Sequence, residues 1–184
     1  MARVAVRSPL AARRVWDDPS MGAPMFAFRF EPGDRAAVQA VAQATSAGID
    51  VDTELGHPWS LFWVARSGPG EPVVAFLVAW AVADELHLIH IATEPSSRRR
   101  GAARALMTAL LEHAGDHRAR LVLLEVRRSN RAAIRLYRNF GFTAMGVRRG
   151  YYSDGEDAIE MMLTLDPTTG HVTPGRDEVQ LAEA

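Results

Sequence analysis

Glu125 and Tyr137 are the two side chains of this sequence best placed to move protons. Glu125 ends the apolar run Leu121-Val122-Leu123-Leu124. Partial desolvation there favours the protonated carboxyl and suits a general base working near neutral pH. Its ordinary alternative is an ion pair with Arg127 or Arg128. Tyr137 comes twelve residues later, in a segment, Arg131 to Phe140, that reads as a helix. A phenol can donate a hydrogen bond to a leaving anion and then a proton; the alternative is a core tyrosine with its hydroxyl at the surface. Asn130 precedes Tyr137 by seven residues, two helical turns, so both fit one side of the helix. Asn130 can cap that helix, bind a ligand, or do both.

A third group is suited to an anion. Arg98-Arg99-Arg100-Gly101-Ala102-Ala103-Arg104 lies between the apolar run Leu86 to Ala92 and the helical pattern Ala105 to Leu111. Strand, basic small-residue loop and helix follow in that order. The first amides of a helix have no partner within it and carry the positive end of its dipole. Small residues let a phosphate approach them, and arginines neutralise it. No Gly-Lys-Ser/Thr follows, so this is no P-loop. A solvated charge run is the plain alternative; the glycine and the helix behind it weigh against that.

Alternation at Phe26, Phe28 and Phe30 predicts a strand, and Asp34 a cap for a helix to about Ala47. Strands are predicted over 61–65, 73–82 and 86–92, a helix over 101–115, a strand over 121–126, a helix over 131–140 stopped by Gly141, and a hairpin of 142–149 with 158–165. The order is β-α-(α or loop)-β-β-β-α-β-α-β-β. Such a mixture packs as an α/β sandwich around one sheet. Residues 1–24 read as a disordered arm or a mis-started N-terminus, 25–165 as one domain, and 166–184 as a flexible tail.

Composition narrows the function. The net charge is −1, yet all 21 basic residues are Arg, and thirteen of them lie between Arg98 and Arg149 with only Glu112, Asp116 and Glu125 as acids. A local positive field on a neutral protein suits a small polyanion better than a nucleic acid. With no cysteine, a disulfide framework, a thiolate zinc site and a cysteine nucleophile are excluded. No apolar run reaches the roughly 18 residues of a membrane span. A cytoplasmic monomer, with no metal, nucleic-acid or membrane partner, is expected.

The element order, with an Arg-x-x-Gly-x-Ala loop after the fourth strand, resembles the GCN5-related N-acetyltransferase (GNAT) superfamily. Further stretches resemble its RimI-like branch of ribosomal-protein-alanine N-terminal acetyltransferases. They are His57-Pro58-Trp59-Ser60, Ile91-Ala92-Thr93, Leu124-Glu125-Val126-Arg127, Ser129-Asn130, Ala133 to Tyr137, Gly141-Phe142, and Arg148-Arg149-Gly150-Tyr151-Tyr152 with Asp154 to Ala158. The resemblance covers roughly residues 25–165. It implies the α/β (α+β) GNAT fold: a central, mixed and mostly antiparallel sheet flanked by helices, with acetyl-CoA at a splay between the fourth and fifth strands.

The resemblance also distributes roles. Glu125 would be the base and Tyr137 the acid towards the CoA sulfur. Arg99, Arg100, Gly101, Ala102, Ala103 and Arg104 would hold the pyrophosphate, Ile91, Ala92 and Thr93 would bind acetyl-CoA through the main chain, and Asn130 would meet the pantetheine arm. Trp59, Tyr151 and Tyr152 would wall the peptide slot, since aromatics with polar tips suit a half-wet site. Glu54, Asp154, Glu156 and Asp157 could attract a positive amine or simply stay solvated. His57, His87 and His90 are read as structural before catalytic. Ala103 stands where the family usually has glycine, which allows less close backbone approach. The expected reaction is acetyl transfer to the α-amine of a protein N-terminus, most closely the alanine of a small-subunit ribosomal protein, by direct attack in a ternary complex. The alternatives are a small amine or a lysine side chain as acceptor, and a non-catalytic acyl-CoA-binding module.

Overall fold

The computed structural model describes residues 24–45 and 47–180. The expected N-terminal arm, apart from Pro24, and the last four residues of the expected tail lie outside them. Eight strands of the described residues form one sheet: β1 (Phe26–Arg29), β2 (Ser60–Arg66), β3 (Ala75–Val82), β4 (Glu85–Thr93), β5 (Leu121–Arg127), β6 (Thr143–Arg148), β7 (Ala158–Leu165) and β8 (Val172–Thr173). Among the described residues, four α-helices accompany it: α1 (Arg35–Thr45), α2 (Val51–Gly56), α3 (Ala102–Asp116) and α4 (Arg131–Asn139). The strand order is β1-β2-β3-β4-β5-β7-β6, with β8 on β7. Only β4 and β5 run parallel. This is the mixed, mostly antiparallel sheet flanked by helices that the resemblance implies.

β3 shows why the sheet is central. Ala75, Phe76, Leu77, Val78 and Ala79 are all fully buried, alternating between two cores. Phe76 and Val78 face α1 and α2; Leu77 faces α3 and α4. Burying each such large side chain contributes roughly 1.5–3 kcal/mol. α3 turns Leu106, Met107, Leu110 and Ala114 inward, the spacing of one helical face. Asn130 caps α4 by accepting from the Ala133 N–H at 3.1 Å, and Gly141 ends it with φ +96°.

Two irregularities position the site. β4 carries one extra residue, Ile89: Val78 pairs with His90 but Ala79 with Leu88. Such a bulge bends its strand. β4 then pairs with β5 only from Glu85↔Leu121 to Leu88↔Leu124. Past that point the strands part, and residues 89–93 keep only their β3 edge. The expected splay between the fourth and fifth strands is this opening.

Residues 166–180 do not hang free. β8 continues the edge of β7 where β6 ends, and Asp177 pairs with Arg138 at 2.8 Å while accepting from the Ala144 N–H at 2.8 Å. Among the described residues, no helix is long and apolar enough to cross a membrane.

Candidate active site

Ile91, Ala92 and Thr93 pair with β3 on one edge and have no strand partner on the other, so their expected main-chain role falls on that open edge. A 3-10 turn (Pro95–Ser97) then leads into the basic loop. Arg99 (φ +64°) and Gly101 (φ +88°) are both left-handed and flank Arg100. Left-handed backbone is costly for a residue with a Cβ, and alternating hands turn successive N–H groups towards one point. Gly101 caps α3 without a side chain, so no cap side chain meets the amides of Ala102 and Ala103. Arg98, Arg99 and Arg100 are exposed. The Arg104 guanidinium lies 5.8 Å from the centre of the Phe140 ring. A diphosphate fits this geometry, with its charges met by amides and guanidinium groups together.

Asn130 spends its side-chain oxygen on the α4 cap. Its amide NH2 makes no hydrogen bond among the described residues. Capping and ligand binding are therefore compatible.

Glu125 and Tyr137 sit on opposite faces of the sheet. Leu124 and Val126 point into the core with α3 and α4, where Tyr137 packs 5% exposed against Phe142. Glu125 alternates to the other face. There α1 and α2 cover β2 to β4 and leave β5, β7 and β6 open. The gap between β4 and β5 joins the two faces. Tyr152 acts electrostatically on Tyr137 and itself feels Glu125. Burial, with a smaller push from Tyr152, holds the Tyr137 phenol far above its ordinary pKa, in the protonated form an acid requires.

The Glu125 side chain is one-third exposed, and its partner is neither Arg127 nor Arg128. Arg127 lies over the Tyr152 ring at 3.9 Å and binds Asp154 and Glu156; Arg128 binds Asp157. Glu125 instead accepts from the Tyr151 hydroxyl at 2.7 Å and faces Arg148 Nη1 at 3.2 Å. Arg148, on β6, also binds Glu160, on β7, at 2.7 Å. The bond to Glu125 holds the Tyr151 phenol above its usual value.

The loop over residues 149–157 carries both tyrosines, whose rings meet edge to face at 5.2 Å. Its acids are structural ties. Glu156 accepts from the Ser129 N–H at 2.7 Å, and Asp157 from the Gly150 N–H at 3.0 Å. The Ser129 bonds, then Arg127, hold Glu156 down to about 2. Glu54 is likewise engaged, accepting from Trp80 Nε1 at 2.8 Å. Trp59 does not meet the tyrosines; it is exposed and stacks on His57 at 5.0 Å. Between the two aromatic sites runs the row Trp80, His87, Leu123, Met162, set by strand register. Trp59 and the 149–157 loop thus flank an open floor from its two sides. Burial holds the His90 imidazole below its usual value, opposed by Glu54. Two cavities, of about 420 Å³ beside α3 and Gly170 and about 590 Å³ beside Asp84 and Arg120, lie away from Glu125.

Likeness to known proteins agrees with this geometry. The chain is 42% identical over 113 residues to the [ribosomal protein bS18]-alanine N-acetyltransferase of Escherichia coli K12, spanning 60% of this chain and 74% of that protein. The crystal structure of the ribosomal-protein-S18-alanine N-acetyltransferase from Escherichia coli superposes with a TM-score of 0.68 and 33% identity, covering 76% of this chain and 93% of the other. Ard1 from Thermoplasma volcanium gives 0.66 and 28%, covering 82% and 99%. The acetyltransferase (GNAT) family profile matches residues 28–142. With that match, the splayed strands and the amide cradle at α3, the chain belongs to the GNAT family of acetyltransferases, whose acyl donor is acetyl-CoA.

Proposed function

We propose that this protein transfers acetyl from acetyl-CoA to the α-amine of a protein N-terminus, most closely the alanine that begins ribosomal protein bS18. The observation that carries this reading is Glu125 beside Tyr151 on an open floor, in a chain 42% identical to a bS18-alanine N-acetyltransferase. An extended peptide end fits such a floor between Trp59 and the tyrosine loop.

Acetyl-CoA supplies the activated thioester. The amides of Ala102 to Arg104 and the arginines at 99, 100 and 104 hold its diphosphate, Asn130 its arm, and residues 91–93 its amides through the open edge of β4. Glu125 takes a proton from the incoming ammonium, directly or through water, because only a neutral amine has a lone pair to attack with. Tyr151 orients that carboxylate by its hydrogen bond. Tyr137 delivers a proton to the departing sulfur from the opposite face. With no cysteine in the chain, direct attack needs no enzyme-bound acyl group.

Incubation with acetyl-CoA and peptides differing at residue one, read by mass spectrometry, tests this. An acetyl group on the α-amine of an alanine-starting bS18 peptide is expected. Acetylation of small amines or lysine side chains with no α-amine product would replace the reading.

A further inference from the structure

Glu125 and Glu160 are direct partners across antiparallel β5 and β7, so two carboxylates stand side by side on the open face. Like charges directly opposite in a ladder repel. Arg148 answers both, but unequally: 2.7 Å from Nε to Glu160 Oε1 and 3.2 Å from Nη1 to Glu125 Oε1. Glu160 owes its seat to an absent side chain. Gly146 pairs with it from β6, where the register slips, and a Cβ there would strike Glu160 Oε2. Gly146 is not left-handed, so its glycine serves space rather than backbone conformation.

We propose that Glu160, seated over Gly146, and Arg148 are a positioning pair for the base: Glu160 draws the guanidinium towards itself, so that Glu125 is oriented yet still free to accept a proton. This rests on the reading of Glu125 as the base. The charged and titratable groups on this face are few. They are Arg148 from β6, Glu160 from β7, Tyr151 and Tyr152 from the 149–157 loop, His90 and the His87–Glu85 pair on β4, and Glu54 of α2 on Trp80. On its own strand Arg127 is engaged by Asp154 and Glu156. The Glu160 hydrogen bond is the foremost influence on Arg148, ahead of Glu125.

The test is kcat/KM against pH with an acceptor peptide at fixed, low ionic strength. The peptide amine titrates alike throughout, so differences between variants belong to the enzyme. Glu125→Gln decides the underlying reading: full activity in it would end the assignment of the base, whatever the other variants do. With that assignment standing, Glu160→Gln hands Arg148 wholly to Glu125 and moves the acid limb to lower pH, by roughly a few tenths of a unit for an exposed pair. Arg148→Gln moves it to higher pH by a similar amount, and Arg148→Lys restores most of it. Gly146→Ala keeps every charge and displaces only the end of a flexible side chain; it shifts the limb as Glu160→Gln does, by less. Opposite signs for the two charge removals are outside what a purely structural pair produces. Limbs that coincide in all folded variants, or that move the same way in Glu160→Gln and Arg148→Gln, would overturn the proposal.

Discussion

Gly101→Ala isolates the backbone's part in the anion cradle. Gly101 has φ +88°, and a Cβ built on it meets nothing within 4 Å. The substitution therefore adds no clash, and its whole effect is conformational. Holding an L-residue left-handed costs roughly 1–2 kcal/mol. If the loop keeps its shape, the folded protein carries that strain, and a domain of this size melts about 2–8 °C lower. If the loop relaxes, the melt is unchanged, but the amides of residues 102–104 no longer converge. The strain then returns on binding, and acetyl-CoA affinity falls about 5- to 30-fold. Thermal melts and calorimetric titration with acetyl-CoA measure both losses, which together should equal the one strain. Gly56→Ala is the control, since Gly56 has no neighbour within 4 Å of its Cβ and no positive φ. It should be neutral or slightly stabilising. A Gly101→Ala protein with unchanged melting temperature and unchanged Kd would refute the reasoning.

Tyr137→Phe should lower kcat by about 10²–10⁴-fold with little change in acetyl-CoA KM. The hydroxyl makes no hydrogen bond among the described residues, so the melt should barely move, and a retained kcat would remove Tyr137 from the chemistry. Glu156 has a folded pKa of about 2 against a usual 4.5, so its anchoring of the 149–157 loop is full above pH 4.5 and lost as pH falls through 2. Hydrogen exchange at the Ser129 and Tyr152 amides should follow that window, and in Glu156→Gln protection should be low with no such dependence. Leu77→Ala, in the fully buried stretch of β3, should cost about 2–5 kcal/mol, a drop of about 4–20 °C. A melt within 2 °C of the parent would contradict the central place given to β3.

Much of this was legible in the sequence for local reasons. Gly101 and the apolar face of α3 announce a strand–loop–helix unit, and each strand has an alternation or a buried run. Glu125, Tyr137 and Asn130 stand out by type and spacing, though their functional roles rest on the resemblance. What the sequence hid is non-local. β7 inserts between β5 and β6, so the partner of Glu125 comes from a hairpin that chain order places farther away. Arg148, Glu160 and Gly146 acquire meaning only through that insertion. The hairpin register was the available signal, since pairing residues 143–148 with 158–162 sets Gly146 against Glu160. The surroundings of Glu125 were hidden too, because among the described residues no helix covers β5, β7 and β6 on the face that carries it. Trp59 stacks on His57 while the tyrosines meet each other, a separation that residue types do not encode. Residues 166–180 looked like tail because Pro167, Gly170, Pro174 and Gly175 break regular structure, yet Asp177 and β8 tie them down by single contacts that leave no period.

The most direct test of the central claim is acetyl transfer to an alanine-starting bS18 peptide by the parent protein and by Glu125→Gln, followed by mass spectrometry with fragment assignment. The account predicts one acetyl group on the α-amine with the parent and a rate at least about 10²-fold lower with Glu125→Gln while acetyl-CoA binding is retained. Equal rates from both proteins, or an acetyl group found only on side chains, would contradict it.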